Sequence, residues 1–380
     1  MSKAFDTVSR KKLFEILEQI LENDELHLLQ ILTNDVILKV KVEDEHSREF
    51  TTLRGIMQGD CLSAVFFILY LSQALTKNTH DDHNYCIKDH IQINWKCTID
   101  NNITISPKYA DDITWVTSEK TRIDEVESKA PKKLKDADLE VNESKTERYA
   151  IPHSERNEIL NEHNYSKPTD TNEWKKCKLL GSHLDTETEI KHRKNLLITN
   201  MKNNTHKYKS HKVNLKNKIR NFTCYEESIF LYNCEIWTLT KTMNNTIDAF
   251  QRKKLRHAIG IYYPKKISNE DLYKKTKQIA WSKKIKRRRL KFFGHVCRMD
   301  ESTPAKQALI ETIKQNTIRK QGKPKLTWLQ TVINDLKELG IIPNIDFKNI
   351  FELANDRDRW RSTIVKPATR QKSVQSRGKQ

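Results

Sequence analysis

Hydrophobic positions follow two rhythms in the first half of the chain and only one after that. Leu13, Ile16, Leu17, Ile20 and Leu21 recur at helical spacing, and Val36, Leu38, Val40 and Val42 alternate with polar residues. The pattern predicts a helix, then a half-exposed strand whose hairpin partner ends near Leu53. LSAVFFILYLSQAL (62–75) predicts a buried helix, and residues 80–100 an irregular polar segment. From Ile103, ITISPKYADDITWV predicts two tightly joined strands with Asp111 and Asp112 at or beside the turn, at a rim of the sheet.

Residues 119–138 have a helical pattern apart from Pro131. A polar loop, HSERNEILNEHNYSKPTDTNEWKK, then leads to the short strand CKLLGSHLD. Beyond residue 188 strand signals disappear. Lysine-rich helical patterns run to Ile261, and a further helical module spans Asn269 to Thr363, with no internal repeat. The expected class is α+β: a small, mostly antiparallel sheet with packed helices, then helices alone.

Charge changes this picture most. The 380 residues carry a net charge of +19, with 36% apolar and 31% charged residues, which predicts wide solvated helix faces and attraction to a polyanion, nucleic acid first. The longest apolar stretch, Ala64–Leu71, is far too short for a bilayer span of about 20 residues, and the N-terminus has no signal-peptide core. The expected setting is intracellular, away from membranes. Seven cysteines, widely spread and never in a C-x-x-C pair, predict reduced thiols.

KYADDITWV puts two carboxylates inside a run that otherwise has the composition of a buried strand, where burial demands a compensating cation or a set of hydrogen-bond donors. Asp81 and Asp82, in HDDHN, have polar neighbours and need only solvent. Two carboxylates at a sheet rim suit Mg²⁺, which prefers carboxylate oxygens plus substrate phosphates to a complete protein cage. A pair of such ions can stabilise both the attacking and the leaving oxygen of an in-line phosphoryl displacement. A structural turn is the alternative reading of the same spacing.

YADD resembles the metal-binding motif of reverse transcriptases, and further resemblances follow in the family's order. SKAFDTVSRKKLFEIL and RGIMQGDCLSAVFFILYL resemble the first two palm motifs of non-LTR, LINE-type retrotransposon polymerases, and LEVNESKTE and CKLLGSHLD the fourth and fifth. FLYNCEIWTLT, FQRKKLRHAIGI, RRRLKFFGHVCRMDE and GKPKLTWLQTVINDL are similar to segments that follow the core in such elements. The resemblance implies a polymerase palm at 1–187, a helical thumb at 188–262, a basic helical module at 263–365 and a disordered basic tail at 366–380. It implies RNA-directed DNA synthesis from dNTPs on an RNA template and a nicked-DNA primer, with Mg²⁺ or Mn²⁺, in the nucleus or the cytoplasm.

Carried over by position, the resemblance implies that Asp111 and Asp112 bind the ions while Tyr109 and Ala110 set the turn. It puts Phe5 beneath the sugar, Gln58 and Gly59 along template and nucleotide, Lys145 near the phosphates as an acid for pyrophosphate, and Gly181 against the primer. Read singly, Phe5 is equally a core residue, Gln58-Gly59 a turn and Lys145 a solvated cation. Ala64 stands where the family usually has proline, and Asp138 where a glycine often precedes Leu, in a turn that favours positive φ. The motif's first acid, the third metal ligand, would fall immediately before Met1, and Asp6 is expected as a helix cap. With fingers and endonuclease domain also lacking, the chain is expected to be truncated and to polymerise poorly.

WSKKIKRRRLKFFGH gathers Lys283, Lys284, Lys286, Arg287, Arg288, Arg289 and Lys291 beside Phe292 and Phe293, a stretch suited to phosphate contact or a nuclear-localisation signal. The opposing reading is a helix with solvated cations and core phenylalanines. His80, His83, Cys86, His90 and Cys97 could hold zinc, but their spacing follows no finger pattern and a polar insertion explains them more simply; His295 and Cys297 are a weaker version. Two function classes stand: an RNA-directed DNA polymerase, and a noncatalytic nucleic-acid-binding remnant of one.

Overall fold

The computed structural model describes residues 4–33, 37–52, 54–76, 108–116, 120–149, 173–316, 326–340 and 347–365. Contacts divide the chain into two units, 1–148 and 149–380. In the first, one turn of helix, α1 (Ala4–Thr7), precedes α2 (Arg10–Leu17) and α3 (Asn23–Thr33). The cap of α2 is Ser9, whose hydroxyl accepts from the Lys12 amide at 3.4 Å. Asp6, expected in that role, instead lies within α1 and is exposed.

The predicted hairpin forms as two short antiparallel ladders. β1 (Ile37–Leu38) pairs with β4 (Phe50–Thr51), and β2 (Lys41–Val42) with β3 (Glu45–His46). Between the ladders Ser47 bridges the gap: its amide donates to Val40 O and its hydroxyl accepts from Val40 N, at 2.8 and 2.9 Å. α4 (Ser63–Thr76) follows. It was expected to be buried, but only one face is: Phe66, Phe67, Tyr70 and Leu71 join Leu13, Ile16 and Leu17 of α2 in the core, while Val65 and Ile68 are 51% and 44% exposed. Ala64–Leu69, six apolar residues in succession, cannot reveal which side of the helix faces solvent.

A further hairpin, β5 (Lys108–Tyr109) with β6 (Asp112–Ile113), leads to α5 (Lys120–Asp136), which continues through Pro131. Fully buried Leu134 and Leu139 anchor its end. Asp138 between them has φ +57°, the strained turn anticipated for a residue in glycine's usual place. Lys12 Nζ holds it there, donating to Asp138 Oδ2 at 2.8 Å and to Asp136 O at 2.7 Å.

In the second unit the expected single strand is a hairpin: β7 (Lys178–Leu179) pairs with β8 (Ser182–His183). Leu180 and Gly181 both have positive φ, +48° and +76°, as a two-residue turn of this hand requires. All later elements among the described residues are helical, as the lost strand signal predicted: α6 (Thr186–Asn203), α7 (Thr205–Lys209), α8 (Leu215–Asn221), α9 (Lys241–Ala258), α10 (Asn269–Thr276), α11 (Trp281–Cys297), α12 (Pro304–Asn316), α13 (Trp328–Glu338), α14 (Phe347–Asn355) and α15 (Arg357–Val365). α8 runs on through a π-helical stretch, Phe222–Glu227.

Two cores fill this unit, and α11 supplies both. Trp281 and Ile285 enter the first, where the Trp281 ring stacks on Phe230 at 4.4 Å; Leu290, Phe293 and Cys297 enter the second with Val332, Leu336, Ile350 and Trp360. Where α11 passes between them, Arg289 is 1% exposed, its Nε donating to Asp335 Oδ2 at 2.8 Å and its Nη1 to Trp237 O at 2.6 Å. One turn on, Gly294 lies against the Trp360 indole, where a methyl group would overlap the ring. No disulfide joins the described cysteines, and burial pushes the Cys234 and Cys297 thiols up to about 12.

Glu226, in the π-helical stretch, is fully buried and accepts from Tyr208 OH at 3.1 Å, while its Oε2 finds no partner among the described residues. Burial raises its pKa above the ordinary carboxylate value. The native state therefore binds a proton that the unfolded chain releases, and the stability this gives is full at acid pH and lost as pH rises through the raised value. Two outcomes follow. Glu226→Gln is expected to gain about 1 kcal/mol at pH 7, with the gain shrinking as pH falls toward 4.5 in thermal melts. Asp335→Leu strands the buried guanidinium and is expected to cost about 3–5 kcal/mol in urea unfolding, most of it recovered when Arg289→Met is added.

Candidate active site

The two aspartates occupy the tip of a hairpin. Tyr109 pairs with Asp112 and Lys108 with Ile113, leaving Ala110 and Asp111 as the turn. Ala110 has φ +50°, a left-handed conformation that costs a residue with a Cβ roughly 1 kcal/mol. Side chains alternate along a strand, so the paired Tyr109 and Asp112 share one face and Ile113 takes the other, packing against the core of the unit. Tyr109 is 68% exposed, Asp112 exposed and Asp111 half-buried. This corrects the expectation of a buried pair. A two-residue loop turns the chain so sharply that the apolar neighbours cannot enclose the carboxylates.

Two motifs about fifty residues apart in sequence meet at a second place in the same unit. Gly55 N donates to Val8 O and Ile56 N to Phe5 O, both at 2.9 Å. Arg10 clamps the junction: Nε donates to Gly55 O at 2.9 Å, Nη1 to Thr52 O at 2.6 Å and Nη2 to Thr52 Oγ1 at 2.9 Å. Gln58 Nε2 reaches Asp6 Oδ1 at 3.4 Å from an exposed turn that includes Gly59, whose φ is +98°. Phe5 is half-buried, its ring stacked on Phe67 at 4.8 Å. Arg10 was not singled out in the sequence, because a guanidinium that serves distant carbonyls leaves no local pattern.

Lys145 sits exposed in a 3₁₀ turn, Glu143–Lys145. Gly181 is in the second unit, with its carbonyl accepting from Arg193 Nη2 at 2.7 Å; its turn conformation alone accounts for glycine there. Among the described residues no group of three or more His, Cys, Asp and Glu side chains converges on one point. The zinc candidates His80, His83, Cys86, His90 and Cys97 lie outside the described residues, and His295 is exposed where Cys297 is buried.

The basic run on α11 divides by the helix period. Arg289 is spent on Asp335 and Trp237 O. Lys284 Nζ donates to both Glu227 oxygens at 2.7 Å, Lys286 pairs with Glu338, and Arg288 Nη1 donates to Leu231 O at 2.9 Å. Lys283, Arg287 and Lys291, at i, i+4 and i+8, form the exposed stripe and make no ion pair among the described residues. Of the seven cations expected to meet phosphate, four are thus engaged within the fold and three are left on the outer stripe, since the stripe toward the cores meets carboxylates from other elements. No helix among the described residues is long and apolar enough to cross a membrane.

Residues 1–184 match the family model described as reverse transcriptase (RNA-dependent DNA polymerase). The match contains α1, the Arg10-clamped junction, the aspartate turn and the β7–β8 hairpin. No curated protein and no solved structure matches the chain. Gly55 tests the junction: it has φ +87°, and a Cβ there would meet the Asp6 carbonyl oxygen at 3.0 Å. Gly55→Ala is expected to cost about 1–3 kcal/mol in chemical unfolding, from overpacking and conformational strain together.

Proposed function

We propose that the chain is the polymerase portion of a non-LTR, LINE-type retrotransposon reverse transcriptase, extending a DNA primer on an RNA template by two-metal nucleotidyl transfer. The observation that carries this reading is the aspartate pair at the strained β5–β6 tip, inside the segment that matches the reverse transcriptase family. Two solvent-accessible carboxylates suit Mg²⁺, or Mn²⁺ in its stead, because such an ion completes its shell with water and dNTP phosphates rather than with a protein cage. Asp111 and Asp112 would hold it. Bound there, it would neutralise the developing charge of the phosphoryl group.

The other roles follow the motif positions. Tyr109 and Ala110 hold the turn, and Phe5, backed by Phe67, is available as a floor for the sugar. Gln58 and Gly59, on the turn next to α1, would border template and nucleotide, and Lys145 would approach the phosphates as the acid for pyrophosphate. Gly181 would border the primer. Of the α11 cluster, Lys283, Arg287 and Lys291 would meet phosphate, while Lys284, Lys286, Arg288 and Arg289 hold the fold. A nicked-DNA primer puts the reaction in the nucleus.

Primer extension tests this. An RNA template annealed to a DNA primer, with dNTPs and Mg²⁺, is expected to give template-dependent product that falls at least about 100-fold in Asp111→Ala, the loss of several kcal/mol of charge stabilisation. Wild-type binding to the hybrid with no product above the Asp111→Ala background would replace this reading with a noncatalytic nucleic-acid-binding protein.

A further inference from the structure

The cations of α6, α7 and α9 meet almost no carboxylates. No Asp or Glu occurs between Ile190 and Tyr225 or between Ala249 and Asn269. α11 is also basic, but its Lys284, Lys286 and Arg289 are paired with Glu227, Glu338 and Asp335 from other elements. On α6, α7 and α9, Lys194, Lys202, Lys207, Lys209, Lys253 and Lys254 form no ion pair among the described residues. Buried Glu226 is the carboxylate that acts on Lys254, and it already accepts from Tyr208.

These lysines are brought together by tertiary packing. Lys194 of α6 and Lys254 of α9 lie over one ring, Phe250, at 5.6 and 5.3 Å, and Lys207 of α7 lies over Tyr225 at 5.6 Å, with Tyr225 53% exposed. Burial, and for Lys254 the neighbouring Lys253 as well, lowers the pKa of Lys194 and Lys254. His257, on α9, is lowered by burial and by Lys254 and Lys209. Such a cluster favours a partner that brings negative charge.

The face continues into the loop after α9. Tyr262 OH donates to His257 O at 3.2 Å with its ring edge-on to His257, and Arg256 Nη2 donates to Asn269 Oδ1 at 2.7 Å and to Ile267 O at 3.3 Å. The loop is therefore fastened at both ends. Between the fastenings, Tyr263 is 89% exposed, followed by exposed Lys265 and Lys266. A tyrosine held out on a fastened loop beside cations loses little freedom when a flat ring stacks on it.

We propose that the face of α6, α7 and α9, with the Tyr263 loop, binds a single-stranded phosphodiester chain, its lysines meeting phosphates and Tyr263 stacking on a base. Exposed aromatics alternating with cations are the recurring platform for single strands, and stacking tolerates any base sequence. The inference rests on nucleic acid as the partner in the proposed function, but not on polymerase activity.

The test is fluorescence anisotropy of the full chain with labelled rU20 and dT20, without Mg²⁺ or dNTPs, so that a chain unable to extend a primer can still pass. Lys202→Gln/Lys253→Gln/Lys254→Gln is expected to weaken binding and to flatten the dependence of log K on log salt by about 2, from three lost contacts at about 0.7 each. Tyr263→Ala is expected to weaken binding about 5- to 100-fold with the salt slope unchanged. Lys129→Gln/Lys132→Gln/Lys135→Gln, an equal change of charge on α5, controls for net charge, and circular dichroism melts check folding. Equal affinity and slope for the two triple variants overturns the proposal, as does unchanged binding by Tyr263→Ala. Loss of binding to an acidic polypeptide with both oligonucleotides still bound also overturns it, in favour of a protein partner. Comparing rU20 with dT20 tells RNA from DNA.

Discussion

Burial of Arg289 decides how the C-terminal half uses its charge. A guanidinium out of water needs a counter-charge and acceptors, and Asp335 and the Trp237 carbonyl supply them at the point where α11 passes from one core to the other. With that residue fixed, the rotation of the whole helix is fixed. Lys284 then faces Glu227, Gly294 faces the Trp360 indole, and Lys283, Arg287 and Lys291 are left on the outer stripe. One satisfied ion pair thus sorts a continuous basic run into structural and available cations.

The N-terminal unit depends on a similar use of arginine. Arg10 forks onto the backbone of Thr52 and Gly55, and the amides of Gly55 and Ile56 close onto Val8 and Phe5. Two stretches of the segment that matches the reverse transcriptase model become one element, with Gly55 required because the two backbones approach too closely for a Cβ. The aspartate pair needs less support. Its turn is held by the hairpin itself, at the cost of a left-handed Ala110, and its carboxylates stay within reach of solvent and of anything solvent delivers.

The excess positive charge is distributed unevenly for a physical reason. Where helices of opposite charge pack, cations are drawn onto carboxylates and lose their freedom to bind elsewhere. Where acid-free stretches of two helices come together, as Ile190–Asn203 of α6 and Ala249–Ala258 of α9 do at the Phe250 ring, Lys194 and Lys254 have little but each other and a single buried glutamate, and the repulsion persists until a polyanion relieves it. Local density of lysine and arginine is therefore a poor guide to a binding face.

Much of the fold was legible in the sequence because it depends on local order. Periodicity announced α2, the long hairpin, α4, α5 and the all-helical second half; the ITISPKYADDITWV pattern put the aspartates at a turn; and Asp138 in a glycine's usual place announced a positive φ. The order of motifs indicated the family that residues 1–184 match. Tertiary structure alone decided which face of α4 is buried, that Ser9 rather than Asp6 caps α2, that the aspartate pair is accessible rather than enclosed, and which cations remain unpaired. Each of these depends on partners far away along the chain, such as Asp335 for Arg289 or Gly55 for Arg10. Spacing within a segment reports the geometry of that segment, whereas burial and charge neutralisation are set by what packs against it.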